Sequence, residues 1–138
     1  MEDCTVTRIT RRSLEGFCCQ VFEKLGLPSE DAQIAAEVLV AADARGIPSH
    51  GVARLGRYVH GLEVGLMRPE AVPEVLCETA ATLVVDGHGA MGAPISVRTM
   101  QAVMAKARSV GTAFGCVRNS NHFGIAGFYA MMPLNEAM

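Results

Sequence analysis

Residues 81–92 read Ala81-Thr82-Leu83-Val84-Val85-Asp86-Gly87-His88-Gly89-Ala90-Met91-Gly92, and the fold class hinges on this segment. The β-branched, apolar run at 81–86 predicts a buried strand. Behind it, 87–92 is a literal GxGxxG. Pro94 near the start and Gly111 at the end frame a long helix. Strand, glycine turn and helix in that order make up a dinucleotide fingerprint. That fingerprint wants a carboxylate about 20 residues on to hold the ribose. No Asp or Glu occurs from 87 to 135. The segment therefore has a second reading. It is a tight turn whose glycines permit positive φ and close packing, with His88 facing solvent.

Downstream, 112–117 predicts a second strand. A polar loop follows, Asn119-Ser120-Asn121-His122-Phe123-Gly124, and another helix starts near Ile125. On the other side, 66–79 carries Pro69 and Pro73 and no clear period. It marks the expected boundary between a helical unit, 1–75, and a second unit, 76–138. Three helices precede it. Residues 10–26 place Leu14, Phe17, Cys18, Val21, Phe22 and Leu25 on one face, and Gly26 stops them. Ser29 is the expected N-cap of the second, with Glu30 and Asp31 in its favourable first turn. That helix runs to about Arg45. The third begins near Ser49 and continues to Gly61 or Gly65. The expected class is α+β, a helical unit followed by strand–helix–strand. Two strands make no self-sufficient sheet, and 131–138 shows no stop signal, so the chain reads as cut inside a larger domain. Unpaired strand edges and exposed apolar surface predict that the 138 residues are unstable or aggregate alone.

Composition excludes several classes. A chain of 138 residues, half of them hydrophobic and 19% charged, is globular rather than disordered. A formal charge of −2 offers no basic excess for phosphates, so nucleic acid is not an expected partner. The polar N-terminus and the absence of a long apolar run point away from secretion and membrane insertion. The five cysteines include no CxxC and no zinc spacing, so no metal is expected. They read as reduced, mostly buried thiols of a cytoplasmic protein. After residue 86 there is a single acid, Glu136, against Arg98, Lys106, Arg108 and Arg118. That half could welcome an anion, or its elements could simply be acid-poor.

Two stretches carry chemistry. In Asp43-Ala44-Arg45-Gly46-Ile47-Pro48-Ser49-His50-Gly51-Val52-Ala53-Arg54-Leu55-Gly56-Arg57-Tyr58, helical spacing of about 100° per residue puts Arg54 and Arg57 near His50. Val52, Leu55, Val59 and Leu62 fall on the far, core side, with Tyr58 at the edge. No acid sits among the arginines to pair with them. A guanidinium grips carboxylate or phosphate in two-point fashion, and Ser49 adds a donor. The alternative is a solvated face of snorkelling arginines. His122 lies in a loop at a strand end, where chemistry often sits. An imidazole there can take or return a hydroxyl proton, with flanking amides to orient it, or it can be merely polar.

Taken together, DARGIPSHGVARLGRYVHGLEVG, VDGHGAMG and VRNSNHFGIAGFYA resemble the non-Rossmann malate/L-lactate dehydrogenase family. Sulfolactate and ureidoglycolate dehydrogenases and reductases of cyclic imino 2-carboxylates belong to it. The resemblance implies a cofactor domain with a largely antiparallel sheet, NAD or NADP as cofactor, and a homodimer in the full-length form. It implies that His122 is the proton acceptor or donor. Ser49, His50 and Arg54 would line the pocket of a small carboxylate substrate, with Arg54 on the carboxylate and Tyr58 nearby. Oxidising a 2-hydroxy acid needs a base on the C2 hydroxyl, and a fixed cation aims the C2–H bond. Family members are more than twice as long, so most cofactor contacts are expected beyond Met138. Two alternatives stand beside this: a cyclic imino-acid reductase with the same site, and a non-catalytic remnant acting as a helical interaction module.

Overall fold

The computed structural model describes residues 8–136. In order they form α1 (Arg11–Lys24), α2 (Ser29–Ala44), two single 3-10 turns (Pro48–His50 and Val52–Arg54) and α3 (Leu55–Glu63). Then follow β1 (Glu74–Glu78), β2 (Thr82–Asp86), α4 (Gly92–Val110), β3 (Phe114–Arg118), α5 (Ala126–Ala130) and a last 3-10 turn (Pro133–Glu136).

The helical layer follows from its apolar periodicity. Thr10 caps α1 by accepting the Ser13 N–H at 3.2 Å, one orphan donor of the helix start satisfied. Cys18 and Phe22 of α1 are fully buried against Ala32, Ala35, Ala36 and Leu39 of α2. The small side chains of α2 let the two helices approach closely. Its other side presents Val38 to Ala93, Val97 and Tyr129, so α2 is covered on both flanks. Pro28, not Ser29, occupies the position before α2, with φ −54° and ψ 143°. Ser29 is the first helical residue, and Glu30 and Asp31 face the positive end of the helix dipole as expected.

The third helix differs from expectation. It starts at Leu55, and His50 and Arg54 lie on two separate 3-10 turns. Asp43 of α2 accepts the Val52 N–H at 2.8 Å, and Gly51 between the turns is extended. A Cβ at position 51 would lie 2.0 Å from Asp43 Oδ1, so the carboxylate crosses where only glycine fits. The straight polar stripe His50–Arg54–Arg57 is thereby broken. The apolar side holds, with Leu55 and Leu62 buried and Val52 and Val59 packed on them. Tyr58, expected at the edge, is 3% exposed.

The sheet has three strands, in the order β1-β2-β3. The third lay hidden in the segment without period, since all five residues of β1 are exposed and leave no alternation to read. β1 pairs antiparallel to β2 with a bulge between Val75 and Cys77, and β2 pairs parallel to β3. The sheet is therefore mixed, and β2–α4–β3 is a crossover unit. Leu83, Val85 and Ile95 form the core between sheet and α4. Val84 points to the uncovered face, flanked in register by Cys77 and Cys116. This corrects the expectation of mostly buried cysteines. Cys18 is buried and Cys19 partly so, while Cys77 and Cys116 are exposed on that bare face; Cys4 lies outside the described residues. No described helix is long and apolar enough to cross a membrane.

Phe22 joins α1, α2 and the Tyr58 ring, which it meets edge-on at 6.1 Å. Phe22→Ala is expected to cost about 3–5 kcal/mol, read as a lower urea midpoint. A midpoint close to that of the parent would show that this cluster does not hold the helices.

Candidate active site

The loop after β3 lies across the start of α4, and the glycine turn is shaped to receive it. Asn121 Nδ2 donates to Gly89 O at 2.8 Å and Ala90 O at 3.1 Å, and Gly89 N–H donates to Asn119 O at 2.8 Å. A Cβ on Gly92 would stand 2.2 Å from Asn121 O, and one on Gly87 2.9 Å from Asn119 O. The room in front of the helix start, which a pyrophosphate takes in a Rossmann site, is filled by this chain's own backbone. The GxGxxG is a seat for the 119–124 loop, the second of its two readings. His88, at φ 49°, is exposed beside Glu74 at 3.2 Å.

Asp86 ties the other end of the loop. It accepts from the His88 N–H at 2.9 Å and from Asn119 Nδ2 at 2.8 Å, with Arg118 Nε at 3.2 Å. The His88 N–H above all, then Asn119 and the cations, holds its carboxyl below the usual carboxylate range against the opposing effect of desolvation. Asn119 takes a left-handed φ of 50°, which asparagine tolerates. At the far end, a Cβ on Gly124 would reach within 2.4 Å of Val38 Cγ1. The loop is thus pressed onto α2.

Bracing of this kind delivers His122 to the helical layer. Tyr58 O lies 2.6 Å from His122 Nδ1, and the Gly124 N–H donates to the same nitrogen at 3.2 Å. The His50 ring stacks on His122 with centroids 5.5 Å apart and planes at 28°. Ser49 Oγ sits 3.0 Å from His50 Nδ1, and Arg54 Nε donates to Ser49 O at 2.6 Å. The structure thus brings together four of the five sequence-derived candidates, Ser49, His50, Tyr58 and His122, and ties Arg54 to Ser49. Among the described residues no carboxylate pairs with Arg54 or Arg57.

Burial chiefly, and then His50, Arg54 and Arg57, lowers the His122 pKa below its usual value. Burial pushes Tyr58 up to about 12, with Arg54 and Arg57 opposing. At neutral pH the site therefore holds a neutral imidazole backed by a phenol and flanked by guanidiniums. Such a set can fix an anion and exchange a proton with it. Sequence reasoning missed Asp43, Asp86 and Gly92, which shape the site without facing it. The asparagines flanking His122 were noted, but they grip the glycine turn and β2 rather than the ring. An apolar cleft of about 430 Å3 lies elsewhere, between the 69–73 segment, the sheet and α4, and its Asp31 and Arg98 pair with each other.

A histidine whose folded pKa is depressed leaves the folded state with fewer bound protons than the unfolded chain in the window below about 6.5. Its contribution to stability is present above that pH and is lost as pH falls. His122→Gln is therefore expected to lose less stability than the parent between pH 7.5 and 5.5, measured by urea unfolding at each pH. Equal losses would show that His122 is not the group that titrates.

The malate/L-lactate dehydrogenase family model matches residues 9–138. A malate dehydrogenase of Pyrococcus horikoshii is 41% identical over 131 residues, covering 95% of this chain and 36% of that protein. An L-sulfolactate dehydrogenase of Methanocaldococcus jannaschii is 39% identical over 118 residues, 86% of this chain and 34% of that protein. The solved structure of the Pyrococcus horikoshii malate dehydrogenase superposes with a TM-score of 0.95 at 40% identity, over 99% of this chain and 39% of that one. The chain thus spans little more than a third of the length of the relatives it matches. With sequence and fold in agreement over nearly all its residues, the chain belongs to the malate/L-lactate dehydrogenase family.

Proposed function

We infer that the protein is an oxidoreductase that interconverts a small 2-hydroxy acid and its 2-oxo acid, with NAD or NADP as the redox partner. The observation that carries this reading is His122, neutral and held by Tyr58, beside guanidiniums without a carboxylate partner. In this reading Arg54 grips the substrate carboxylate, and Ser49 and His50 line the pocket. His122 takes the C2 hydroxyl proton in oxidation and returns it in reduction. Malate, lactate, sulfolactate and ureidoglycolate all offer the carboxylate and hydroxyl this set would bind. A nicotinamide supplies or removes the hydride in such chemistry. The glycine turn is filled by the 119–124 loop and does not fit a dinucleotide.

A second reading has a specific support. A Δ1-pyrroline-2-carboxylate/Δ1-piperideine-2-carboxylate reductase of Pseudomonas putida is 32% identical over 119 residues, 86% of this chain and 35% of that protein. A cyclic imine bearing a 2-carboxylate needs the same cation and the same proton donor.

The test is oxidation of reduced nicotinamide by the native gene product with 2-oxo acids or cyclic imino acids as acceptors. His122→Ala is expected to lower turnover by about 10²–10⁴. Arg54→Ala is expected to lower kcat/KM by about 10- to 100-fold, the loss of one charge-assisted grip. Turnover by His122→Ala at the parent rate would sink the assignment, and a preference for imino acids would select the second reading.

A further inference from the structure

The two contacts at His122 Nδ1 say which nitrogen carries the proton. The Gly124 backbone N–H, 3.2 Å away, can only donate, so Nδ1 presents its lone pair. A proton on Nδ1 would point at that N–H. Tyr58 O, 2.6 Å from the same atom, is then the donor of its own hydrogen bond. The neutral ring therefore carries its proton on Nε2. Among the described residues Nε2 has no hydrogen-bond partner, and no buried side-chain nitrogen or oxygen is left unsatisfied, so Nε2 opens toward solvent.

We propose that Tyr58 and the Gly124 N–H fix His122 as the Nε2–H tautomer, and that Tyr58 is the proton reservoir behind it. The proposal rests on the hydroxy-acid reading above and deepens it, by naming the residue that stands behind the acid. As the Nε2–H bond breaks, an O–H bond forms on the alkoxide oxygen at C2 of the substrate. The Tyr58 O–H bond breaks at the same time and Nδ1–H forms. One proton leaves Tyr58 and one reaches the alkoxide. The imidazole stays neutral throughout and changes tautomer. Tyr58 is left as a phenolate; once product leaves, the solvent-facing Nε2 takes a proton from water while the Nδ1 proton returns to Tyr58 O, and oxidation runs the same path in reverse.

Everything packed around the pair suits this path. The titratable and charged groups facing it are His50 stacked on His122, Arg54, Arg57, and Tyr129 near Tyr58. None is a carboxylate. A doubly protonated His122 would add a positive charge near Arg54 and Arg57 with no carboxylate to offset it, so an imidazolium is disfavoured as the acid, whereas a neutral ring that changes tautomer adds none. Burial pushes the Tyr58 phenol up to about 12, and the same guanidiniums partly offset this in favour of a phenolate. The phenol ring is fixed edge-on against Phe22 and has one hydrogen-bond partner among the described residues, His122 Nδ1. Tyr58 acts through His122 and is a positioning and proton-holding residue.

The test uses the native gene product. With 15N-labelled histidine, ring-nitrogen NMR above pH 7 is expected to show His122 protonated on Nε2 and bare on Nδ1. Tyr58→Phe keeps the ring on Phe22 and the Gly124 contact, so the tautomer is expected to stay. Its turnover with a 2-oxo acid is expected to fall by about 10²-fold with KM unchanged, the low end for loss of a proton-transfer group. Its rate in H2O–D2O mixtures is expected to change from a two-proton to a one-proton dependence, which a merely structural defect would not produce. A proton on Nδ1 in the parent, or a Tyr58→Phe variant with the parent's rate and isotope dependence, would overturn the proposal. If Tyr58→Phe does not fold, the parent decides: a proton on Nδ1, or a one-proton dependence of its rate in H2O–D2O mixtures, overturns the proposal. That spectrum needs no turnover, so failure of the hydroxy-acid reading, seen as an inert His122→Ala substitution, is told apart from failure of the tautomer assignment.

Discussion

Much of this molecule depends on one close approach, that of the 119–124 loop to the start of α4. Asn121 O and His122 O pass where a side chain on residue 92 would stand, 2.2 and 2.6 Å from an ideal Cβ. Glycine is the residue without that atom, and the Asn121 amide secures the passage through two carbonyls of the preceding turn. Close-packed interiors do not yield to overlaps of this size. The loop therefore has a single track, and His122 comes off it facing the helical layer. Asp86 and Gly124 hold the two ends of the same track, one against β2 and the other against α2.

A matching constraint works from the helical side. Asp43 breaks what the local sequence would otherwise continue as a helix, by taking the Val52 N–H for its own carboxylate. The two 3-10 turns that result carry His50 over the His122 ring. Tyr58 then enters from the first turn of α3, buried up to its hydroxyl. The polar groups meet because two backbone segments, each distorted from its regular form, are clamped by neighbouring carboxylates and amides. Local irregularity supported by its surroundings is a common property of functional sites.

How much of this could be read in the sequence follows from where each signal resides. α1 was legible because its apolar face repeats at helical spacing, α2 from Ser29, Glu30 and Asp31 at its start, and α4 from Pro94 and Gly111 at its two ends; Gly26 and Gly46 follow the ends of the first two. β2 was legible as a buried, β-branched run. β1 was not, because with every residue exposed no alternation marks Glu74–Glu78 as a strand. The third helix was set too early, since the capture of Val52 by Asp43 is a contact between elements and leaves no local trace. His122, His50 and Arg54 stood out by residue type and by their resemblance to a family. That Tyr58 would be buried against Phe22 while touching His122 required the packed layers. The glycine motif gave a pattern with two meanings, and only the path of the loop separates them.

The contact between Tyr58 and His122 joins residues 64 positions apart, one from the helical layer and one from the end of the sheet. Contacts of such separation bear a high closure entropy and are completed late when a chain folds. Each layer can assemble its own core first, and only their docking brings imidazole and phenol together. A chain emerging from the ribosome would have its arginines and its Tyr58 in place long before His122 reached them. The imidazole–phenol pair is thus a product of completed assembly and is absent from any half-folded form.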